Sequence, residues 1–152
     1  MPVSSVITKS WGELTTAELY SLLKLRTDVF LVEQKVDEEE LDWRDLEPTT
    51  RHYWIADAIG TAAYLRVLEV AEPEYRDARH LPGRVVVRAD RRGEGLAHEL
   101  FARVLEDFGS LPLLLHAQSY IAPLYVKFGF EPFGAQYIEA GIPHISMYRG
   151  AS

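Results

Sequence analysis

Residues 84–108 run from a short apolar strand, RVVVR, through a bend, ADRRGEG, into the helix-patterned LAHELFARVLEDF, with no spacer between them. Leu96, Leu100, Phe101, Val104, Leu105 and Phe108 recur at helical spacing, and Gly109 ends the run. A strand whose middle is wholly apolar belongs inside a sheet. A strand, a helix and a further apolar strand, LPLLLHAQ (111–118), form a crossover unit. The bend itself admits two readings. Its glycines let an anion approach the unpaired N–H groups at a helix start. Equally, they serve only to turn the chain, with the arginines solvating it.

The other segments supply hairpins. VITKSW (6–11) reads as a first strand. Thr15 and Glu18 form a capping box before a helix with Leu19, Leu22, Leu23, Val29 and Phe30 on one stripe. Arg26 falls on that stripe, where it is paired inside, turned to a cleft or laid along the surface. HYWIADA (52–58) and TAAYLRVLEV (61–70) are two strands turning at Ile59-Gly60. Residues 71–83 are a charged loop ending in Pro82-Gly83. YIAPLYVKF (120–128) is a short helix, and FEPFGAQYIEA (130–140) and IPHISMYR (142–149) are two closing strands. The order predicts an α+β (mixed α/β) domain: one mixed, mostly antiparallel sheet flanked by helices, over residues 1–152.

Charge narrows the function. The chain nets −7, which argues against a general nucleic-acid binder. Residues 36–48, VDEEELDWRDLEP, hold seven acids and one arginine, whereas RVVVRADRR (84–92) nets +3. A basic cluster within an acidic protein suggests a local anion site. The sequence contains no cysteine, so disulfides, thiolate metal sites and a cysteine nucleophile are excluded. The five histidines lack close metal-ligand spacing, and no metal is expected. No apolar run approaches the roughly 20 residues of a membrane span, and the N-terminus lacks the apolar stretch of a signal peptide. No membrane partner and a cytoplasmic location are the expectation.

The bend is not a Walker loop, since no G-x-x-x-x-G-K-[ST] string exists. It is not a dinucleotide fingerprint either, because His98 stands where the third glycine belongs. What remains is Arg92-x-x-Gly95-x-Ala97 after a buried strand. This resembles the acyl-CoA pyrophosphate loop of the GNAT superfamily of N-acyltransferases. APLYVKFGF (122–130) is similar to that family's second signature, A-x-x-[LF]-Y-x-K-x-G-F. The segments LLKLRTDVFLVEQ (22–34), RHY (51–53), GRVVV (83–87), HAQ (116–118) and GIPHISM (141–147) resemble the ElaA-like branch. The acidic run after VEQ is longer than that branch usually has.

The resemblance implies an acyl-CoA N-acyltransferase (GNAT) fold and acetyl-CoA as acyl donor. Backbone N–H groups of Arg92, Gly93, Glu94, Gly95, Leu96, Ala97 and His98 would hold the pyrophosphate, with Arg88 and Arg91 as further phosphate candidates. The backbone of Val85, Val86 and Val87 would pair with the pantetheine arm. Ser119 and Ala122 would complete the cofactor contacts. Tyr125 would protonate the departing thiolate. Glu33 or His144 would take the proton of the acceptor, a small-molecule or peptide amine. Arg26, Asp42, Trp43 and His116 are candidates for the acceptor site, and the acids around Asp42 would form a lip attracting a cation. The resemblance leaves room for a homodimer. Two competing accounts are a CoA-binding regulatory module without catalysis and an adaptor for a phosphorylated ligand. The second leaves APLYVKFGF unexplained.

Overall fold

A computed structural model of the chain describes residues 5–152. Among these residues seven strands form one sheet in the order β1-β2-β3-β4-β5-β7-β6. β1 (Ile7–Lys9) is an edge strand. β2 (Arg51–Ala56) and β3 (Thr61–Glu69) make the hairpin expected around Gly60. β4 (His80–Val87) pairs antiparallel with β3. β5 (Leu113–Gln118) pairs antiparallel with β7 (Ile142–Arg149), which pairs with β6 (Glu131–Glu139).

Three helices cover the two faces. α1 (Thr16–Arg26) opens with the expected box, in which Thr15 Oγ1 accepts from the Glu18 N–H and the Glu18 carboxylate accepts from the Thr15 N–H. It continues as a π-helical stretch over Thr27–Glu33, a departure no sequence pattern announced. Leu22, Leu25, Val29 and Phe30 pack from this rod onto Trp54, Tyr64 and Val86. On the other face α2 (Leu96–Phe108) buries Leu96, Leu100, Phe101 and Val104 against Leu65, Leu113 and Leu115. α3 (Ala122–Lys127), after a tight turn over Ser119–Ile121, adds Tyr125 to that core.

One junction differs from the rest. β4 and β5 run parallel, joined through α2, and among the described residues a single register pair, His80 with Leu113, connects them. β4 continues to Val87 and β5 to Gln118, so the strands diverge beyond that pair. The sheet therefore opens beyond that pair. β4 also bulges: its register against β3 slips between Tyr64 and Arg66, and Arg84 has φ +53°.

The structure starts β4 at His80, not at residue 84 as the sequence suggested. Pro82 and Gly83 read as turn punctuation, yet they stand opposite Val67 and Arg66. The Val70 N–H donates to the Arg79 carbonyl, so strand alternation turns Pro82 toward the β5 side. A missing N–H is harmless there because the strands have parted. Among the described residues no helix is long and apolar enough to cross a membrane.

Candidate active site

A cavity of about 370 Å³ lies where β4 and β5 part. Val85, Leu115, Ala117 and Tyr125 line its inner part, where the two strands separate. Glu38, Glu39, Glu74, Glu139, His116 and His144 line its outer part.

Strand alternation shapes the inner part. The Arg88 N–H donates to the Ala62 carbonyl, which places the main chains of Arg88 and Val86 on the β3 side. Those of Val85 and Val87 therefore face the opening. The Val87 carbonyl accepts from Arg92 Nε at 3.1 Å, as that orientation requires. The Val86 side chain is buried beneath α1.

The bend RRGEG ends the opening. Gly93 and Gly95 both have φ +83°, a conformation that non-glycine residues adopt only with strain. A Cβ at either would meet no atom within 4 Å, so the bend presents bare backbone to open space. Gly95 caps α2, and no side chain makes a capping hydrogen bond there. The first N–H groups of Leu96, Ala97 and His98 are thus available to an anion. The Leu96 side chain is driven into the core and His98 lies against Phe128, which fix the helix start. Ser119 Oγ is buried and, among the described residues, has no hydrogen-bond partner. An orphaned hydroxyl beside a divided sheet fits a polar arm lying between the strands. Ala122 packs on the core beside it.

The arginines of this region are committed to carboxylates. Arg88 binds Asp57 and Asp90, and Arg91 binds Asp57 and Glu94. Their guanidinium groups therefore do not stand free for phosphate. Arg92 is paired with Glu33. The donors left for an anion at this bend are main-chain N–H groups.

Tyr125 is 3% exposed and is wedged edge-on between Phe101 and Phe130. Burial, with a smaller contribution from Tyr120, pushes its phenol well above the ordinary tyrosine range. The phenol stays protonated throughout the physiological range.

The outer wall rearranges several expectations. Arg26 is 0% exposed, so it cannot reach an acceptor. Its place on the apolar stripe of α1 turns it inward, where Nε bonds Glu40 at 2.6 Å and Nη1 bonds Asp45 at 2.8 Å. Asp42 lines the cavity, but Arg66 grips both its oxygens, and the Arg84 guanidinium and the Arg44 N–H add to them. Burial pushes its carboxyl up, and these partners outweigh that, leaving it at about 2. It is a counter-ion, not a seat for an amine. Trp43 is 78% exposed and borders a separate groove with Trp11, Leu23 and Leu46, away from the cleft. The inner acids of the 36–48 segment thus neutralise Arg26, Arg66 and Arg84, leaving Glu38 and Glu39 at the cleft.

Of the two candidate bases, Glu33 is bound through both oxygens to Arg92 and does not line the cavity. Hydrogen bonding by Arg92 holds its carboxyl below the usual range. His144 lines the cavity, but its Nδ1–H donates to the Ile142 carbonyl at 2.7 Å and its ring stacks on Tyr137. His116 also faces the cleft, between Glu74 and Ser146. Glu74 and Glu139 were not singled out in the sequence. Glu74 sits in a charged loop with no local signal, and only folding brings it to β5.

The chain as a whole is similar to known proteins. Residues 44–149 match the Acetyltransferase (GNAT) domain. A UPF0039 protein of Mycobacterium tuberculosis is 35% identical over 99% of this chain and 96% of its own length. Protein ElaA of Escherichia coli is 36% identical over 91% of each. Among solved structures, an acyl-CoA N-acyltransferase from Pseudomonas aeruginosa superposes with a TM-score of 0.85 at 38% identity, covering 95% of this chain and 98% of that one. The crystal structure of ElaA gives 0.84 at 34%, with the same coverage. A CoA-dependent acyl-homoserine lactone synthase, solved with isopentyl-CoA, shares the fold at a TM-score of 0.77 and 18% identity. The chain belongs to the GNAT acetyltransferase family, in its ElaA-like branch.

Proposed function

We propose that this chain is a single-domain N-acyltransferase that moves an acetyl group from acetyl-CoA to a primary amine within a ternary complex. The observation that carries this reading is the parting of β4 from β5 beside a glycine-capped helix start. That arrangement offers main-chain partners for an extended polar arm at Val85 and Val87, and amide donors for a pyrophosphate from Gly93 to His98. Bound there, the donor supplies a thioester carbonyl for direct attack by the amine.

The protein's own groups account for the rest. The sequence has no cysteine, so no cysteinyl intermediate is required or available. Tyr125, protonated and lining the cavity, donates its proton to the departing sulfur and regains one through the cleft. Glu38, Glu39, Glu74 and Glu139 around the outer cavity favour a cationic acceptor over an anionic one. The carboxylate-bound state of Arg88 and Arg91 counts against a phospho-ligand adaptor, which would need them free.

Calorimetric titration with acetyl-CoA, desulfo-CoA and NAD tests the donor site. Binding of both CoA species and not of NAD is expected. A panel of primary amines with thiol detection then tests transfer. Failure of every CoA species to bind would overturn the reading.

A further inference from the structure

The reading above leaves the acceptor's proton without a destination, and the structure offers one. An amine enters at neutral pH as an ammonium and must lose a proton before it can attack. His116 lies on the open face of β5, whose alternate residues Leu113, Leu115 and Ala117 fill the core. It stands directly opposite Ser146 in the β5–β7 register. Its Nδ1 is 3.0 Å from Ser146 Oγ, and its Nε2 is 2.9 Å from Glu74 Oε2. His116 and Glu74 both line the cavity, with side chains 38% and 52% exposed.

Glu74 is not a loose surface carboxylate. The neighbouring Tyr75 stacks on Phe133 of β6 at 3.7 Å and meets Tyr148 of β7 edge-on. The Tyr148 hydroxyl donates to Asp77 at 2.7 Å in the same loop. The connection between β3 and β4 is thereby fastened to the far hairpin, and Glu74 is held beside Nε2 of His116.

We propose that His116 is the general base for the acceptor amine, that Glu74 binds the ammonium, and that Ser146 positions the imidazole. This rests on the N-acyltransferase reading. A serine hydroxyl both donates and accepts, so it supports either tautomer of His116. In the free protein Nε2–H donates to Glu74 and the Ser146 hydroxyl donates to Nδ1. When an ammonium takes the Glu74 carboxylate, the ring proton shifts through water to Nδ1, which then donates to Ser146, and Nε2 is left with its lone pair. The ammonium replaces the direct His116–Glu74 bond and satisfies both groups: one N–H donates to Glu74 and another to Nε2. The proton passes to Nε2, the imidazolium is held by Glu74 and Ser146, and the neutral amine keeps its lone pair for the carbonyl carbon. As the C–S bond breaks, the sulfur takes its proton from Tyr125. His116 later releases its proton to water.

The test uses the whole chain saturated with desulfo-CoA, which cannot react. Butylamine is titrated in while the His116 ring nitrogens are followed by nitrogen-15 NMR. The expected result is a saturable shift of the His116 signals that is lost in Glu74→Gln. Ring signals that ignore the amine would overturn the proposal. Kinetics with the best amine of the panel give a second readout. His116→Gln should lower kcat by about 100- to 10,000-fold with unchanged acetyl-CoA affinity. Glu74→Gln should raise the acceptor KM more than it lowers kcat. Wild-type kcat in His116→Gln would sink the proposal while leaving the N-acyltransferase reading intact. Absence of desulfo-CoA binding would remove both.

Discussion

Arg92 holds Glu33 through two nitrogens, Nη1 and Nη2, at 2.6 and 2.8 Å from the carboxylate oxygens. The pair ties the bend after β4 to the end of the π-helical stretch. It also removes Glu33 from proton transfer, since a carboxylate already gripped by a guanidinium is a weak base. Both side chains are largely exposed, and such pairs contribute about 1 kcal/mol or less. Glu33→Gln should therefore leave kcat and its pH profile near wild type, and change acetyl-CoA affinity by about fivefold at most. A lost acidic limb in the rate profile of that variant would restore Glu33 as the base.

Tyr125→Phe separates chemistry from packing. The ring lies between Phe101 and Phe130, and phenylalanine keeps those contacts. Among the described residues no hydrogen bond to the hydroxyl is seen, so its removal strands no partner. Melting temperature and acetyl-CoA affinity should stay close to wild type. Turnover should fall by about 10- to 100-fold, at the low end for acid catalysis because a thiolate leaves readily. Equal turnover in the two proteins would show that water, not Tyr125, protonates the sulfur.

Gly95→Ala probes the bend. The alanine must adopt φ +83°, which costs about 1 kcal/mol, or a few degrees of melting temperature in a chain of this size. Its methyl would project into open space, so the unliganded protein meets no clash. If that space admits a pyrophosphate, acetyl-CoA affinity should drop by at least tenfold, more than the stability loss accounts for. Calorimetry beside a thermal melt makes the comparison. Unchanged affinity would move the anion elsewhere.

What the sequence revealed followed the range of the interactions. The Thr15–Glu18 box, the Gly60 hairpin and the strand-bend-helix around Gly95 are local, written within a few residues. The helix that carries Tyr125 was legible because its whole signature is contiguous. The acidic segment was not. Whether Asp42 meets a ligand or Arg66 depends on β3, which is distant in the chain. Arg26 was correctly placed on an apolar stripe, and the pattern could not say which carboxylates would meet it. His116 was visible as a strand histidine, but Glu74 and Ser146 reach it only through tertiary folding.

The buried charges set the acid limit of the fold. Arg26 and Arg66 meet Glu40, Asp42 and Asp45 in a network with little access to water. Burial pushes the Asp45 carboxyl up, and Arg26 and Arg66 more than reverse it, as at Asp42. A carboxyl whose folded value lies below its unfolded one stabilises the fold fully above the unfolded value. That stabilisation is lost as pH falls. For Asp42 the window runs from the ordinary 3.8 down to about 2. The melting temperature should hold above about pH 5 and decline through this window. Arg26→Met leaves buried carboxylates under-neutralised and should cost about 3–5 kcal/mol at neutral pH. For 152 residues that is a drop of roughly 6–20 °C. In the variant Asp45 loses one of its two arginines, so its carboxyl protonates at higher pH and the decline begins earlier on acidification. Melts of both proteins from pH 7 to pH 3 decide it: a variant as stable as wild type would show that the network is dispensable to the fold.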